Sequence, residues 1–200
     1  MLAAKLGFAY IDTGAMYRAV TLAAIKKNIP LGSADQIAEL ACSLLLEFKK
    51  DDKNINYIFC DGENVSEEIR SQEVTKKVSE VSAHRALRQV MVMKQQKLAE
   101  ENDVIMDGRD IGTVVLPQAE CKIFLTAAHK ERAQRRFKEL MSKGYQGEFD
   151  DVFIEMGIRD QQDIYREDGP LIPAEDAVII DTTGLKTEEV VLHICRICRC

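Results

Sequence analysis

The chain has 200 residues, 46% of them apolar, and a net charge of −6 from 27 basic and 33 acidic side chains. That is enough apolar material for one substantial core with room for a small insert, and the acidic balance disfavours a broad nucleic-acid or anionic-membrane surface. No apolar run nears the roughly 18 residues that span a bilayer, and no basic segment precedes a long apolar one at the start, so the expected location is the cytoplasm.

In chain order, Met1 to Gly7 reads as the last turns of a helix closed by a C-terminal glycine. Phe8 to Ile11 reads as a buried strand, and Asp12-Thr13-Gly14 turns into a helix with Met16, Val20 and Ala23–Ala24 at helical spacing, ended by Asn28 and Pro30. Ser33 with Gln36 forms a capping-box pattern for a helix to about Ser43. Leu44 to Phe48 and Ile55 to Cys60 read as strands, and Asp61-Gly62 as a turn, so about 44–70 is expected to be a small antiparallel insert.

Two helices are expected at about 71–82 and 85–101, then strands at 104–106 and 122–125. A helix from about Lys130 carries Ala133, Phe137, Leu140 and Met141 as its apolar stripe, with Arg132, Arg135 and Arg136 off it. Lys143 to Gly147 breaks the pattern, and a helix restarts near Asp150 or Asp151 and runs to about Tyr165, stopped by Pro170 and Pro173. Ala177 to Ile180 supplies a last strand and Thr187 onward a last helix. Strands separated by helices without internal repeats predict an α/β fold, a parallel sheet flanked by helices.

The six cysteines lie at 42, 60, 121, 195, 198 and 200. Three fall inside expected elements, which favours reduced thiols over a disulfide framework. The C-x-x-C of Cys195 and Cys198 has no second pair to complete a zinc site, and His84, His129 and His193 share no ligand spacing, so no metal site is expected and the histidines read as structural or solvated.

The chemistry concentrates in Val104-Ile105-Met106 followed by Asp107-Gly108-Arg109-Asp110. An apolar strand ending in acids and an arginine places charged groups where open α/β sheets bind ligands, and the string points to nucleotide phosphate chemistry. Arg18, one turn into the helix after Asp12-Thr13-Gly14, and Arg109 would then be aimed into one cleft by neighbouring strands, each guanidinium pairing phosphate oxygens two at a time. Taken singly, they read as surface arginines beside an ordinary Asp-Gly turn. Arg159, Asp163 and Arg166 are spaced i, i+4, i+7, on one helix face that serves either a ribose and phosphates or a solvated ion-pair ladder. Ser79 and Arg88 are either base-edge hydrogen-bond donors or ordinary helix surface. None of the 11 glycines is followed by lysine, so these residues hold no G-x-x-x-x-G-K-[ST] phosphate cradle.

Five ordered strings resemble the bacterial cytidylate kinases, nucleoside monophosphate kinases of the P-loop class. They are Ile11-Asp12-Thr13-Gly14-Ala15-Met16-Tyr17-Arg18, Val65 to Ser71, Asp107 to Val115, Glu131-Arg132-Ala133-Gln134-Arg135-Arg136 and Ile158-Arg159-Asp160. The resemblance implies one kinase domain over 1–200, with the segment at about 44–70 as a CMP-binding insert and 143–149 as a lid. It implies that Asp12, Thr13, Tyr17 and Arg18 border the CMP site and that Arg18 and Arg109 hold its phosphate. Ser79 and Arg88 would read the cytosine edge, Asp163 with Arg159 would hold the sugar, and Arg166 would face the same site. Arg109, Asp110, Arg132 and Arg159 are implied in catalysis, with the Arg132, Arg135 and Arg136 face acting as the hinge that closes over the transferring phosphate. The implied reaction is ATP plus CMP or dCMP giving ADP plus CDP or dCDP, with Mg²⁺ on the ATP phosphates and the enzyme a cytoplasmic monomer. Catalysis of this kind is positioning and charge neutralisation.

In family terms Met1 to Leu6 matches the tail of the helix after the P-loop, so no ATP-binding residues are assigned within the chain. The family's first strand lies between those at 104–106 and 122–125 here, so the expectation is a partial sequence or a start at an internal methionine. The alternative is a CMP-binding remnant without catalysis. A kinase of the same class for another acceptor, such as UMP or shikimate, is disfavoured by Ser79 and Arg88.

Overall fold

A computed structural model of the chain describes residues 1–52 and 55–199 and divides into two compact units, Met1–Leu116 and Pro117–Cys200. Lys53 and Asn54, inside the expected insert, and Cys200 lie outside the described residues.

The first unit opens with α1 (Leu2–Leu6), closed by Gly7 at φ 73°, a left-handed conformation that glycine adopts at little cost. β1 (Ala9–Asp12) leads directly into α2 (Thr13–Lys26), whose N-terminus is capped by the Asp12 carboxylate accepting from the Ala15 N–H at 2.9 Å. Ten of the 14 residues of α2 are buried, because it is the central helix of this unit and carries no solvent face of any width. α3 (Ala34–Ser43) follows, then an antiparallel sheet of β2 (Leu46–Lys50), β3 (Asn56–Cys60) and β4 (Glu63–Asn64), turned by Asp61 and Gly62 at φ 50° and 83°. A 3₁₀ turn at 68–70, α4 (Gln72–Ser82) and α5 (Arg85–Glu100) lead to β5 (Val104–Asp107), which pairs in parallel with β1 in the register Ala9↔Val104 to Asp12↔Asp107. Ile11, Met16, Val20, Ile37, Leu87 and Met91 are among the residues of its core.

The second unit holds β6 (Ile123–Thr126), α6 (His129–Ser142), α7 (Phe149–Tyr165), β7 (Val178–Asp181) and α8 (Thr187–Cys198). β6 and β7 pair in parallel, Ile123↔Val178 to Thr126↔Asp181. Parallel strands joined through helices, with a small antiparallel sheet, make this the α/β fold expected. Among the described residues no helix is long and apolar enough to cross a membrane.

Four expectations are corrected. Ser33 is the N-cap of α3 but makes no side-chain cap hydrogen bond; the exposed first turn leaves those N–H groups to water. Met141 is 50% exposed, because Phe137 meets Phe149 at the very start of α7, and the next turn of α6 runs past its partner. Arg166 is extended beyond the end of α7 instead of lying on its face. Cys121 and Cys198 form a disulfide, Cα to Cα 5.7 Å across 77 residues, a separation along the chain that spacing alone does not reveal. Cys42 is an exposed thiol and Cys195 a buried one.

Candidate active site

In the first unit the chemistry gathers where β1 and β5 end. Their register sets Asp12 beside Asp107, and the period of two puts Tyr10 on the same face. The Tyr10 hydroxyl donates to Asp107 Oδ1 at 2.9 Å, and the Thr13 hydroxyl donates to the Asp107 carbonyl at 2.7 Å, tying the start of α2 to the end of β5. Asp107 keeps solvent contact, yet partial desolvation pushes its carboxyl up to about 6, and the Asp12 carboxylate adds to the rise against the pull of Tyr10 and Arg109. Burial first, and the two carboxylates next, raise the Tyr10 hydroxyl, which stays a proton donor. Arg70 approaches Asp12 at 3.9 Å.

Gly108 follows at once, and a Cβ there would press on the Thr13 hydroxyl and come within 2.7 Å of Ile111 Cδ1. The glycine is thus needed for close approach. Beyond it Arg109 is exposed and Asp110 buried, and the carbonyl of Asp110 accepts from Val114 in a π-helical turn at 111–115.

Asp110 pairs with Arg88 of α5. Both side chains are shielded from solvent, so the pairing compensates two charges that neither could carry alone. Arg88 Nη1 also donates to the Ser82 carbonyl at 3.3 Å, and its guanidinium stands 5.6 Å from the centre of the Tyr17 ring. Tyr17, Arg88 and Asp110 are therefore one cluster. Ser79 lies half-buried a turn before Ser82, whose hydroxyl donates to its carbonyl at 3.2 Å. Arg18 donates to the Thr75 hydroxyl at 2.8 Å and the Ile69 carbonyl at 3.3 Å, which directs it to the start of α4.

In the second unit Arg132 grips Asp160 with both terminal nitrogens, at 3.1 and 2.8 Å. Arg135 donates to the Thr182 carbonyl at 2.7 Å, and Arg136 pairs with Glu139 at 2.8 Å. Arg159 is half-buried, and Asp163 and Arg166 pair at 3.3 Å, with Arg166 Nε also donating to the Gly169 carbonyl. Among the described residues no group of three or more His, Cys, Asp or Glu is placed to hold a metal ion.

Residues 1–199 match the family model for cytidylate kinase. Cytidylate kinases of Bacillus thuringiensis (strain Al Hakam), Bacillus cereus (strain AH187) and Bacillus anthracis (strain CDC 684 / NRRL 3495) are each 46% identical over 194 residues, covering 97% of this chain and 86% of theirs. The chain belongs to the cytidylate kinase family. It is thus an enzyme family member, a transferase of the nucleoside monophosphate kinase class, acting on nucleotides. The match covers both compact units.

In this cytidylate kinase family member Tyr10, Thr75 and Ser82, which lie outside the family strings, and Arg70, which lies inside one without an expected role, touch the expected residues. Tyr10 was the accessible one, since it stands two positions before Asp12 on a strand.

Proposed function

We propose that the protein transfers the γ-phosphate of ATP to CMP or dCMP, giving ADP and CDP or dCDP in pyrimidine nucleotide metabolism. The observation that carries this reading is the Tyr17, Arg88 and Asp110 cluster: a guanidinium held from behind by a buried carboxylate is a fixed donor. Arg88 and Ser79 meet the acceptor atoms of the cytosine edge, and Asp110 sets the direction of Arg88. Uracil presents an N3–H where cytosine presents a lone pair, so the same donor rejects UMP. Asp12, Thr13 and Tyr17 border the acceptor nucleotide, Arg18 and Arg109 hold its phosphate, Asp163 with Arg159 takes the sugar hydroxyls, and Arg166 supports them.

The attacking oxygen is already a phosphate oxygen of CMP, so the residues have no hard proton transfer to perform. Their work is to bring two anions together and spread the charge that develops on the phosphoryl group. Arg109 and Arg159 neutralise it, and Arg132 contributes from α6, with 143–149 as the lid and 44–70 as the acceptor-binding insert. Magnesium enters as part of the co-substrate, MgATP. The protein works as a cytoplasmic monomer on free nucleotides, a reading with which the net charge of −6 is consistent, since self-repulsion keeps a chain dispersed.

A second reading is favoured by one observation, that no glycine of the chain precedes a lysine: the 200 residues bind CMP without transferring phosphate. A coupled assay with MgATP and CMP, dCMP or UMP, run beside calorimetric CMP binding, separates the readings. CDP formation with kcat/KM at least about 100-fold lower for UMP supports the first. CMP binding without CDP supports the second, and no CMP binding ends both.

A further inference from the structure

Arg132 carries five N–H groups, and within the second unit four of them have acceptors. Nε donates to the Ala127 carbonyl at 3.1 Å, Nη1 and Nη2 straddle the Asp160 carboxylate, and Nη2 also reaches Nδ1 of His129 at 3.3 Å. The other ring nitrogen of His129, Nε2, lies 3.0 Å from the Phe153 carbonyl. A carbonyl only accepts, so Nε2 carries the proton; a guanidinium only donates, so Nδ1 is bare. Both contacts exist together in one neutral tautomer alone.

The ring is held as firmly as its proton. It meets Phe153 edge-on with centroids 4.3 Å apart. Asp160, half-buried, lies 3.5 Å from Nδ1, so Arg132 is shared between a carboxylate and an imidazole that both accept from it. A carboxylate fork by itself lets a guanidinium swing about the fork. The Ala127 carbonyl at one end and His129 at the other remove that freedom and leave one Nη1 N–H to meet a ligand.

We propose that Asp160 and His129 are positioning residues for phosphoryl transfer, holding Arg132 by a carboxylate fork and a bare imidazole Nδ1 so that its remaining N–H meets the transferring group. The proposal rests on the reading of Arg132 given under Proposed function. A preorganised donor needs no rearrangement as charge develops, so its loss falls on kcat more than on binding.

The test compares the 200-residue chain with His129→Leu, His129→Asn and Asp160→Asn, Asn at 129 keeping an acceptor near the place of Nδ1. Long-range ¹H–¹⁵N spectra should show the Nε2–H tautomer, and the slow guanidinium rotation of Arg132 should persist in His129→Asn and be lost in His129→Leu. Where CDP is formed, His129→Leu and Asp160→Asn should lose about tenfold or more in kcat with KM for CMP within about twofold, while His129→Asn stays within about threefold of the parent. The opposite tautomer, unaltered Arg132 signals in His129→Leu, or equal losses in His129→Leu and His129→Asn would overturn the proposal. A parent chain that makes no CDP would instead refute the proposed function, and the spectra would still decide how Arg132 is held.

Discussion

Arg88 and Asp110, 22 residues apart, meet as an ion pair with side chains only 6% and 8% exposed. Removing either partner takes the opposite charge of the pair away from a buried group. Asp110→Ala or Arg88→Ala is therefore expected to cost about 3–5 kcal/mol in urea unfolding. The double replacement Arg88→Met with Asp110→Leu should recover most of that stability but none of the discrimination between CMP and UMP. A double variant that still prefers CMP would show that the pair has no part in base selection.

Gly108 stands where a methyl group would collide with Thr13 and Ile111. Gly108→Ala should cost roughly 1–3 kcal/mol, the range for overpacking, and weaken CMP binding by displacing Thr13 from the Asp107 carbonyl. Thermal unfolding and CMP titration check both, and an unchanged midpoint would contradict the packing described here.

The Asp107 carboxyl titrates near 6 in the folded chain, against an ordinary value of 3.8. The folded state holds the extra proton between those limits, so this group's contribution to stability is complete below about 3.8 and is lost as pH rises through about 6. Solvent on the open side of the carboxylate screens the repulsion and keeps the effect small. Urea midpoints of the parent should fall relative to those of Asp107→Asn between pH 5 and pH 7.5, and a constant difference would rule out the shift.

The Cys121–Cys198 bond closes a loop of 77 residues that contains most of the second unit. A loop of that length is worth roughly 4 kcal/mol in restricted unfolded-chain entropy. Dithiothreitol, or Cys121→Ser, should lower the unfolding midpoint of this unit, and thiol counts under denaturing conditions should rise by two on reduction. Equal counts before and after would show that the bond does not form.

Element type and order were legible because helical and strand periods are local: β1, α2, the Asp61-Gly62 turn, β5 and the α6–α7 pair all stand within a few residues of where spacing puts them. The cytidylate kinase strings were legible for the same reason, each being a short contiguous run. What tertiary structure decided is which distant groups meet. Arg88 by itself reads either as a base-edge donor or as helix surface, yet Leu87, Arg88 and Met91 all turn inward on α5, so its charge requires Asp110. Cys121 found Cys198 through the packing of the second unit, and His129, structural or solvated by spacing, is structural: α7 brings the Phe153 carbonyl to its Nε2, and its Nδ1 accepts from Arg132. Local pattern determines which face a side chain takes, whereas burial of a charge, a tautomer or a disulfide depends on what packs against that face.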